Sequence, residues 1–343
     1  MSPSPTIAYA GLACAALCWA SAFIAGKFAL AELTPLTLAA WRYVFAVAML
    51  FPFVLRRDDW RGLGAVSGRL AFMVFCGGVL YPSLFLAALS RTSATNTSLL
   101  VALNPALTAL LAPLAGEPID PRRLPGVLLA LAGAAIVVTH GDLSRIGELG
   151  QASGDLLAIA AACCWVGFNV ASRSVVARVK PAPINFVVYG VGALALFGLA
   201  YGEQPVRQMM AASPSGVASV VIMAALSSAL AGQLFLIGVY TVGVTRAAIF
   251  VNFVPVLTAA LAAALLGERI DAGQAVGGVA VLAGVWWTTW GGVTRPVVRR
   301  TGTALLPGCG ADARQRPASA LLTSNAAHSA STSSRAPCTQ AIE

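Results

Sequence analysis

Ten long apolar runs, separated by short polar segments, occupy most of this chain. Each run holds roughly the 20 mainly apolar residues that an α-helix needs to cross a lipid bilayer. Inside a bilayer only helices and closed barrels satisfy their own backbone hydrogen bonds. The sequence therefore predicts an all-α polytopic membrane protein with ten transmembrane helices. The predicted spans are 7–28, 35–55, 70–89, 95–115, 124–140, 155–172, 183–201, 217–240, 245–266 and 274–293.

The composition excludes an ordinary soluble domain and offers little for a metal site. Of the 343 residues, 58% are hydrophobic and 10% are charged, whereas about a quarter of the residues in soluble domains carry charge. The cysteines of the apolar runs lack the paired spacing of zinc ligands, and the chain has only two histidines. We therefore expect no bound metal and no other cofactor.

The two ends of the chain need separate interpretation. The first apolar run has small residues near Ala20 and Ala22 that resemble a signal-peptide cleavage site, but it lacks a basic leader and is too long. We therefore expect it to be retained. Residues 295–343 are rich in Ser, Thr, Ala, Pro and Arg and show no apolar periodicity, so they are predicted to be a disordered cytoplasmic tail without an assigned function.

The second half of the chain repeats the first. Ala-Ala-Leu-Cys-Trp at 15–19 returns as Ala-Ala-Cys-Cys-Trp at 161–165, a shift of 146, and Gly-Glu-Pro-Ile-Asp at 116–120 returns as Gly-Glu-Arg-Ile-Asp at 267–271, a shift of 151. Five helices per copy is an odd number, so the second copy enters the membrane from the opposite side. We predict two inverted five-helix repeats, residues 6–140 and 155–294, with a site between them near the bilayer midplane.

Basic residues predict the orientation of the chain, because cytoplasmic loops carry an excess of Lys and Arg. With the N-terminus inside, thirteen basic residues fall on the cytoplasmic side and five on the outer side. We therefore predict a multi-pass protein of the cell (inner) membrane with both termini in the cytoplasm. These loops and the tail account for the net charge of +9, so the lipid bilayer is an expected partner and nucleic acid is not. The oligomeric state stays open.

Three motifs follow one another along the chain. They are Trp-Ala-Ser-Ala-Phe at 19–23 with Lys27, Pro-Leu-Thr-Leu-Ala-Ala-Trp-Arg-Tyr at 35–43, and a proline-containing helix that closes in Gly-Glu at 105–117 and 255–268. Together they resemble the EamA-type family of the drug/metabolite transporter superfamily over about residues 7–293. The resemblance implies transport of small polar or amphipathic metabolites, amino acids among the commoner cases, by alternating access. It does not name a substrate.

Charged residues inside the spans are rare. Every acidic residue lies in a loop, at a helix end or in the tail, so no carboxylate stands at mid-depth as a proton relay. Transport without coupling, exchange of two substrates, or a carboxylate nearer the interface (Glu117, Glu268 or Asp155) all stay open. Arg42 is the deepest basic residue. It either attracts a carboxylate or phosphate of the substrate or reaches back to the outer interface, whereas Lys27 is predicted to be an interfacial anchor.

Aromatic and amide side chains complete the predicted site. Trp19 and Trp165 are equivalent in the repeat and lie near mid-span, which argues against interfacial anchoring. Cavity lining and core packing both stay open, with cavity lining preferred. Asn169 follows Trp165 by one turn. Amides bind zwitterions without a fixed charge, although each could instead bridge two helices. The predicted substrate-binding residues are Trp19, Arg42, Tyr81, Asn96, Asn104, Trp165, Asn169, Gln233 and Asn252.

Proline and glycine positions point to moving and fixed parts of the bundle. Pro105 and Pro255 each free a backbone carbonyl within a span, so each predicts either a gating kink or a static one. The pairs Gly126/Gly133 and Gly277/Gly284 predict close helix packing. We predict a secondary transporter, with export favoured, and not an enzyme. The alternative is a membrane-embedded enzyme or flippase acting on a lipid-linked substrate, and a channel is disfavoured because no charge ring or carbonyl filter is evident.

Overall fold

A computed structural model describes residues 4–55, 60, 62–111, 121–142 and 153–290. Within these ranges the side chains at 173, 244–246, 248 and 290 are not described. The predicted tail at 295–343, the candidate carboxylate Glu117 and the far ends of the fourth and tenth predicted spans lie outside the described residues. Over the described ranges the chain forms helices and connecting turns, without a β-strand.

Eight helices in the described ranges are long and apolar enough to cross a membrane. They are α1 (Pro5–Leu30), α2 (Pro35–Val54), α3 (Gly64–Arg91), α4 (Ala94–Leu111), α5 (Pro121–Thr139), α6 (Ser153–Ser172), α7 (Pro181–Leu199) and α8 (Pro214–Val242). The ninth predicted span, α9, consists of Val244–Val251 and Val254–Leu265, and its apolar part Ile249–Leu265 is shorter. The tenth is α10 (Ala272–Trp290). The all-α membrane fold is confirmed, and the count of ten full spans is not exact.

Prolines and serines fix where several helices begin. Proline opens α1, α2, α7 and α8, because its ring presets a helical φ and its missing N–H is not needed at that position. Ser4, Ser93 and Ser213 each accept a hydrogen bond from the backbone N–H three residues on, which satisfies an otherwise unpaired donor of the first turn. These caps set the starts of α1, α4 and α8.

The helices pack in a pattern that is unchanged when the two halves are exchanged. Helix α2 packs against α7 and α5 against α10, which are pairs of equivalent helices. Helix α1 packs against α8 as α3 packs against α6. A packing pattern of this kind has a pseudo-two-fold axis, and the residues closest to that axis come from both halves.

Irregularities of the backbone also recur 150 residues apart. A π-helical segment spans Val74–Leu80 in α3 and Ala224–Leu230 in α8. Helix α4 is interrupted between Val101 and Asn104, and α9 between Val251 and Val254. Each interruption directly precedes Pro105 or Pro255, as expected from a residue that removes a helical hydrogen bond and clashes with the preceding turn.

Helices α5 and α10 meet through their glycines. A Cβ placed on Gly133 would lie 2.5 Å from the backbone nitrogen of Val281, and one on Gly284 would lie 2.3 Å from that of Ala130. Cβ atoms on Gly126 and Gly277 would lie 2.7 and 2.8 Å from backbone atoms of the opposite helix. The four glycines therefore bring two helix backbones into direct contact, as the sequence predicts for small residues at a membrane helix interface.

Candidate functional site

A cavity of about 90 Å³ lies at the centre of the bundle. Its walls come from α1, α2, α3, α4, α6, α7, α8 and α9, and therefore from both halves of the chain. Six of the residues singled out in the sequence line it: Trp19, Arg42, Tyr81, Asn104, Trp165 and Pro255. This cavity is the candidate site.

Aromatic rings form most of the cavity wall. Trp19 and Trp165 meet edge to face with ring centroids 6.2 Å apart, and Trp165 lies 4.8 Å from Tyr81. Tyr43 and Tyr189 lie 4.7 Å apart and are related by the same shift of 146 residues as the two tryptophans. Equivalent residues of two halves meet only near a pseudo-symmetry axis, so the cavity lies on that axis.

Two aromatic donors bind the π-helical segments. The Trp19 Nε1–H donates to the carbonyl oxygen of Ser227 at 3.2 Å, and the Tyr43 hydroxyl donates to the carbonyl oxygen of Gly77 at 3.1 Å. Gly77 and Ser227 are 150 residues apart and lie in the two π-helical segments. The polar ends of Trp19 and Tyr43 are therefore bound to the protein, and their ring faces are what they present to the cavity.

Arg42 lies inside the bundle. Its side chain is 6% exposed, and its guanidinium carbon lies 4.9 Å from the ring centroid of Tyr43, a cation–π distance. Its Nε atom is buried without a hydrogen-bond partner. Arg42 is the one charged side chain among the described residues that line the cavity. Its equivalent in the second half, by the shift of 146, is Val188.

Two amides of the cavity wall are also incompletely paired. The Oδ1 acceptor of Asn104 and the Nδ2 donor of Asn185 are buried without partners, in side chains that are 5% and 2% exposed. Burying an unpaired polar group costs free energy. Together with the guanidinium of Arg42, these atoms supply donors and an acceptor around one apolar cavity.

The structure places the other predicted residues elsewhere. Asn96 contacts Asp155 and Gln274 at one end of the bundle. Asn169, Gln233, Asn252 and Pro105 do not line the cavity. In α6 the wall position next to Trp165 is taken by Phe168, which stacks on it at 4.8 Å.

Sequence reasoning missed several residues of the wall. Among them are Tyr43, Tyr189, Asn185 and the serines Ser227 and Ser228. The tyrosine pair carries a usable signal, because both tyrosines follow the repeat shift that identifies Trp19 and Trp165. Asn185 aligns with an alanine in the first half, so the repeat gives no such signal for it.

Comparison with known proteins agrees with this architecture. The model of the EamA-like transporter family matches residues 6–139 and 152–290. An uncharacterized transporter of Archaeoglobus fulgidus is 30% identical over 285 residues, which cover 81% of this chain and 96% of the relative. A protein of Salmonella typhimurium named as a probable amino-acid metabolite efflux pump is 25% identical over 83% of this chain and 95% of its own.

A solved structure supports the fold. A crystal structure with 22% sequence identity superposes with a TM-score of 0.55 over 83% of this chain and 97% of the other. Because the identity is low, this similarity bears on the fold alone. The family match over both halves, and relatives named as transporters, carry the assignment. The chain belongs to the EamA-like transporter family, a family of multi-pass membrane proteins.

Proposed function

We propose that this protein is a secondary transporter of small amphipathic metabolites that carry a carboxylate or another anionic group, amino acids among them. The observation that carries the proposal is Arg42, a buried guanidinium that lines the central cavity with one nitrogen unpaired. Export is favoured over uptake, because the Salmonella typhimurium relative is named as an efflux pump.

The charge of Arg42 explains the anionic part of the substrate. An isolated charge within a membrane protein costs several kcal/mol unless it is paired or reaches water. The described residues of the cavity wall include no Asp or Glu, so the wall itself offers no carboxylate as a partner. A carboxylate of the substrate would accept hydrogen bonds from the guanidinium, and the Nδ2 group of Asn185 adds a second donor.

The remaining wall explains the amphipathic part. The rings of Trp19, Trp165 and Tyr81 give a rigid apolar surface for the substrate's hydrocarbon. The unpaired Oδ1 of Asn104 accepts a hydrogen bond, as an ammonium or hydroxyl group of the substrate would supply. A site of this composition selects small solutes with one anionic end and an apolar body.

The two halves supply the moving parts. We propose that residues 6–140 and 155–294 are inverted repeats that rock against each other around the cavity, with the interruptions before Pro105 and Pro255 as the bending points. The distribution of basic residues supports cytoplasmic termini and insertion in the cell inner membrane. Each rocking motion exposes the same site to one side of the bilayer.

Counterflow into liposomes tests the proposal. Purified full-length protein is reconstituted and assayed for uptake of labelled amino acids, nucleosides and sugars against a preloaded pool, and each active amino acid is compared with the matching decarboxylated amine. We expect flux of carboxylates and little flux of the amines. Absence of flux for the whole panel, with folding confirmed by circular dichroism, would reject transport of such solutes. Movement of a fluorescent lipid-linked sugar instead would favour a flippase.

A further inference from the structure

A polar hub joins the two halves at one end of the bundle, away from the cavity. It lies where α1 and α3 end and where α4, α6 and α10 begin. Its residues are Lys27, Thr92, Thr95, Asn96, Asp155, Glu268 and Gln274. The first four come from the first half of the chain and the last three from the second.

The start of α4 is held from both sides. The carboxylate of Glu268 accepts hydrogen bonds from the backbone N–H of Ala94 at 2.8 Å, from that of Thr95 at 3.2 Å and from the Thr95 hydroxyl at 2.8 Å. From α1, the Nζ of Lys27 donates to the carbonyl oxygen of Thr92 at 2.6 Å. Lys27 thus has a specific hydrogen-bond partner at the end of α1, and its role as an interfacial anchor stays a prediction.

Asn96 connects α4 to α6 and α10. Its Oδ1 accepts a hydrogen bond from Gln274 Nε2 at 2.8 Å, and its Nδ2 lies 3.5 Å from both carboxylate oxygens of Asp155. Asp155 is 4% exposed, so it is a buried carboxylate whose contacts with the other half of the chain are few and long.

The hub reaches the surface on its far side. Gln274 exchanges two hydrogen bonds with Asp271, at 2.7 and 3.0 Å. Asp271 in turn contacts His140 Nδ1 at 2.7 Å, and both side chains are more than 40% exposed. The end of α3 brings the exposed Arg91 against the first turn of α6. Among the described residues, the titratable or charged side chains at this end of the bundle include His140, Asp142, Asp271 and Arg91, together with Lys27 and Glu268 at the start of α4.

We propose that Asp155 is a proton-binding site and that its protonation opens this end of the bundle. The inference rests on the proposed transport function, since it assigns the coupling ion. The step moves one proton from water onto a carboxylate oxygen of Asp155, and no other covalent bond changes. Hydrogen bonds to an ionised group are roughly twice as strong as neutral ones. The neutral acid therefore holds Asn96 less tightly, and the contact between α4 and α6 loosens.

Spin-label distances test the opening without a substrate. Nitroxides are placed on Leu156→Cys in the first turn of α6, where the side chain is exposed, and on Arg269→Cys, next to the Glu268 that binds the start of α4. The seven native cysteines are replaced. Double electron–electron resonance is then recorded in lipid nanodiscs between about pH 8 and about pH 5. We expect a population with longer distances that grows as the pH falls. A distance distribution that does not change with pH in the otherwise wild-type chain would overturn the proposal.

Two variants locate the proton. Asp155→Asn keeps the shape and removes the titrating group, so it is expected to show the longer distances at every pH. Glu32→Gln removes an exposed carboxylate at the same end that is bound to Ser213 and not to the hub, and it is expected to follow the wild type. A pH response that survives in Asp155→Asn would also overturn the assignment. These distances do not depend on substrate flux, so failure of the counterflow assay is a separate result.

Discussion

Replacing Arg42 with glutamine removes the one charge that the described residues direct into the cavity, and it keeps a polar side chain that can still hydrogen bond. Arg42 is 6% exposed, and its guanidinium lies 4.9 Å from the centroid of the Tyr43 ring and has an unpaired Nε. If its role is to bind an anion, the substitution weakens carboxylate binding and leaves the fold intact. If it is a structural cation, the substitution destabilises the protein.

The structure sets the size of both effects. A hydrogen bond to a charged group contributes about 1.5–3 kcal/mol, and about 1.4 kcal/mol corresponds to a tenfold change in affinity. Carboxylate substrates are therefore expected to lose roughly 10- to 100-fold in apparent affinity. Removing a buried unpaired donor returns about 1–3 kcal/mol of stability, and the lost cation–π contact costs about 0.5–2 kcal/mol. The substrate-free variant should thus be about as stable as the wild type, or more so.

Two measurements check this prediction on the same samples. Counterflow gives the apparent affinity for each carboxylate and for its decarboxylated amine, which should change little. Thermal unfolding without substrate gives the stability. Arg69→Gln, at an exposed arginine near the start of α3, is the control and should alter neither. Carboxylate transport at wild-type affinity, or destabilisation by more than about 3 kcal/mol as expected on breaking a buried ion pair, would refute the role of Arg42.

Three further predictions concern the packing and the surface. Gly133→Ala should prevent the α5–α10 contact, because its Cβ would lie 2.5 Å from a backbone nitrogen. We expect this variant to give no folded protein on size-exclusion chromatography. Gly198→Ala is the control and should be tolerated, because the space around Gly198 is open. Trp19→Phe removes the 3.2 Å hydrogen bond to α8 and should lower the free energy of unfolding by about 0.5–1.5 kcal/mol. Hydrogen bonds from the hydroxyl and backbone N–H of Ser213 lower the pKa of Glu32. These bonds therefore stabilise the folded protein above the usual carboxyl pKa near 4.5. That stabilisation is lost as the pH falls through the lowered pKa of Glu32. The stability advantage of the wild type over Ser213→Ala should therefore shrink in acid, and an advantage independent of pH would contradict this.

The apolar runs and the repeat carried most of the fold prediction. Run length alone gave the positions of the helices, because a spanning helix must satisfy its own backbone. The shift of 146 residues paired Trp19 with Trp165, and the structure brings those two rings together in the cavity. The internal repeat is informative because equivalent residues near a pseudo-axis become neighbours in the fold. The sequence around each residue does not predict such a contact by itself.

The amides were harder to place, and the reason is physical. A helix that is apolar all round has no polar face, so the sequence does not show which side points to the cavity. In α6 that side carries Phe168, and Asn169 next to it does not line the wall. The π-helical segments also change which side chains of α3 and α8 face the cavity, and the composition of these segments does not predict them. Asn96 binds Asp155 and Gln274, which are 59 and 178 residues away, so its contacts follow from the tertiary fold.

Arg42 breaks the internal repeat, because its equivalent in the second half is Val188. This is the position on which the proposed transport function depends. Tyr43 packs against its own equivalent Tyr189, so the neighbours Arg42 and Val188 both lie beside the pseudo-axis and both line the cavity. Two guanidinium groups about 8 Å apart would repel by roughly 2 kcal/mol at an effective dielectric constant near 20. They would also call for two anionic groups on the substrate. A single arginine on a near-symmetric wall avoids both costs. In the proposed transport cycle the axis relates the two openings of the inverted repeats, so one charge beside it would offer the same ionic contact to a substrate arriving from either side.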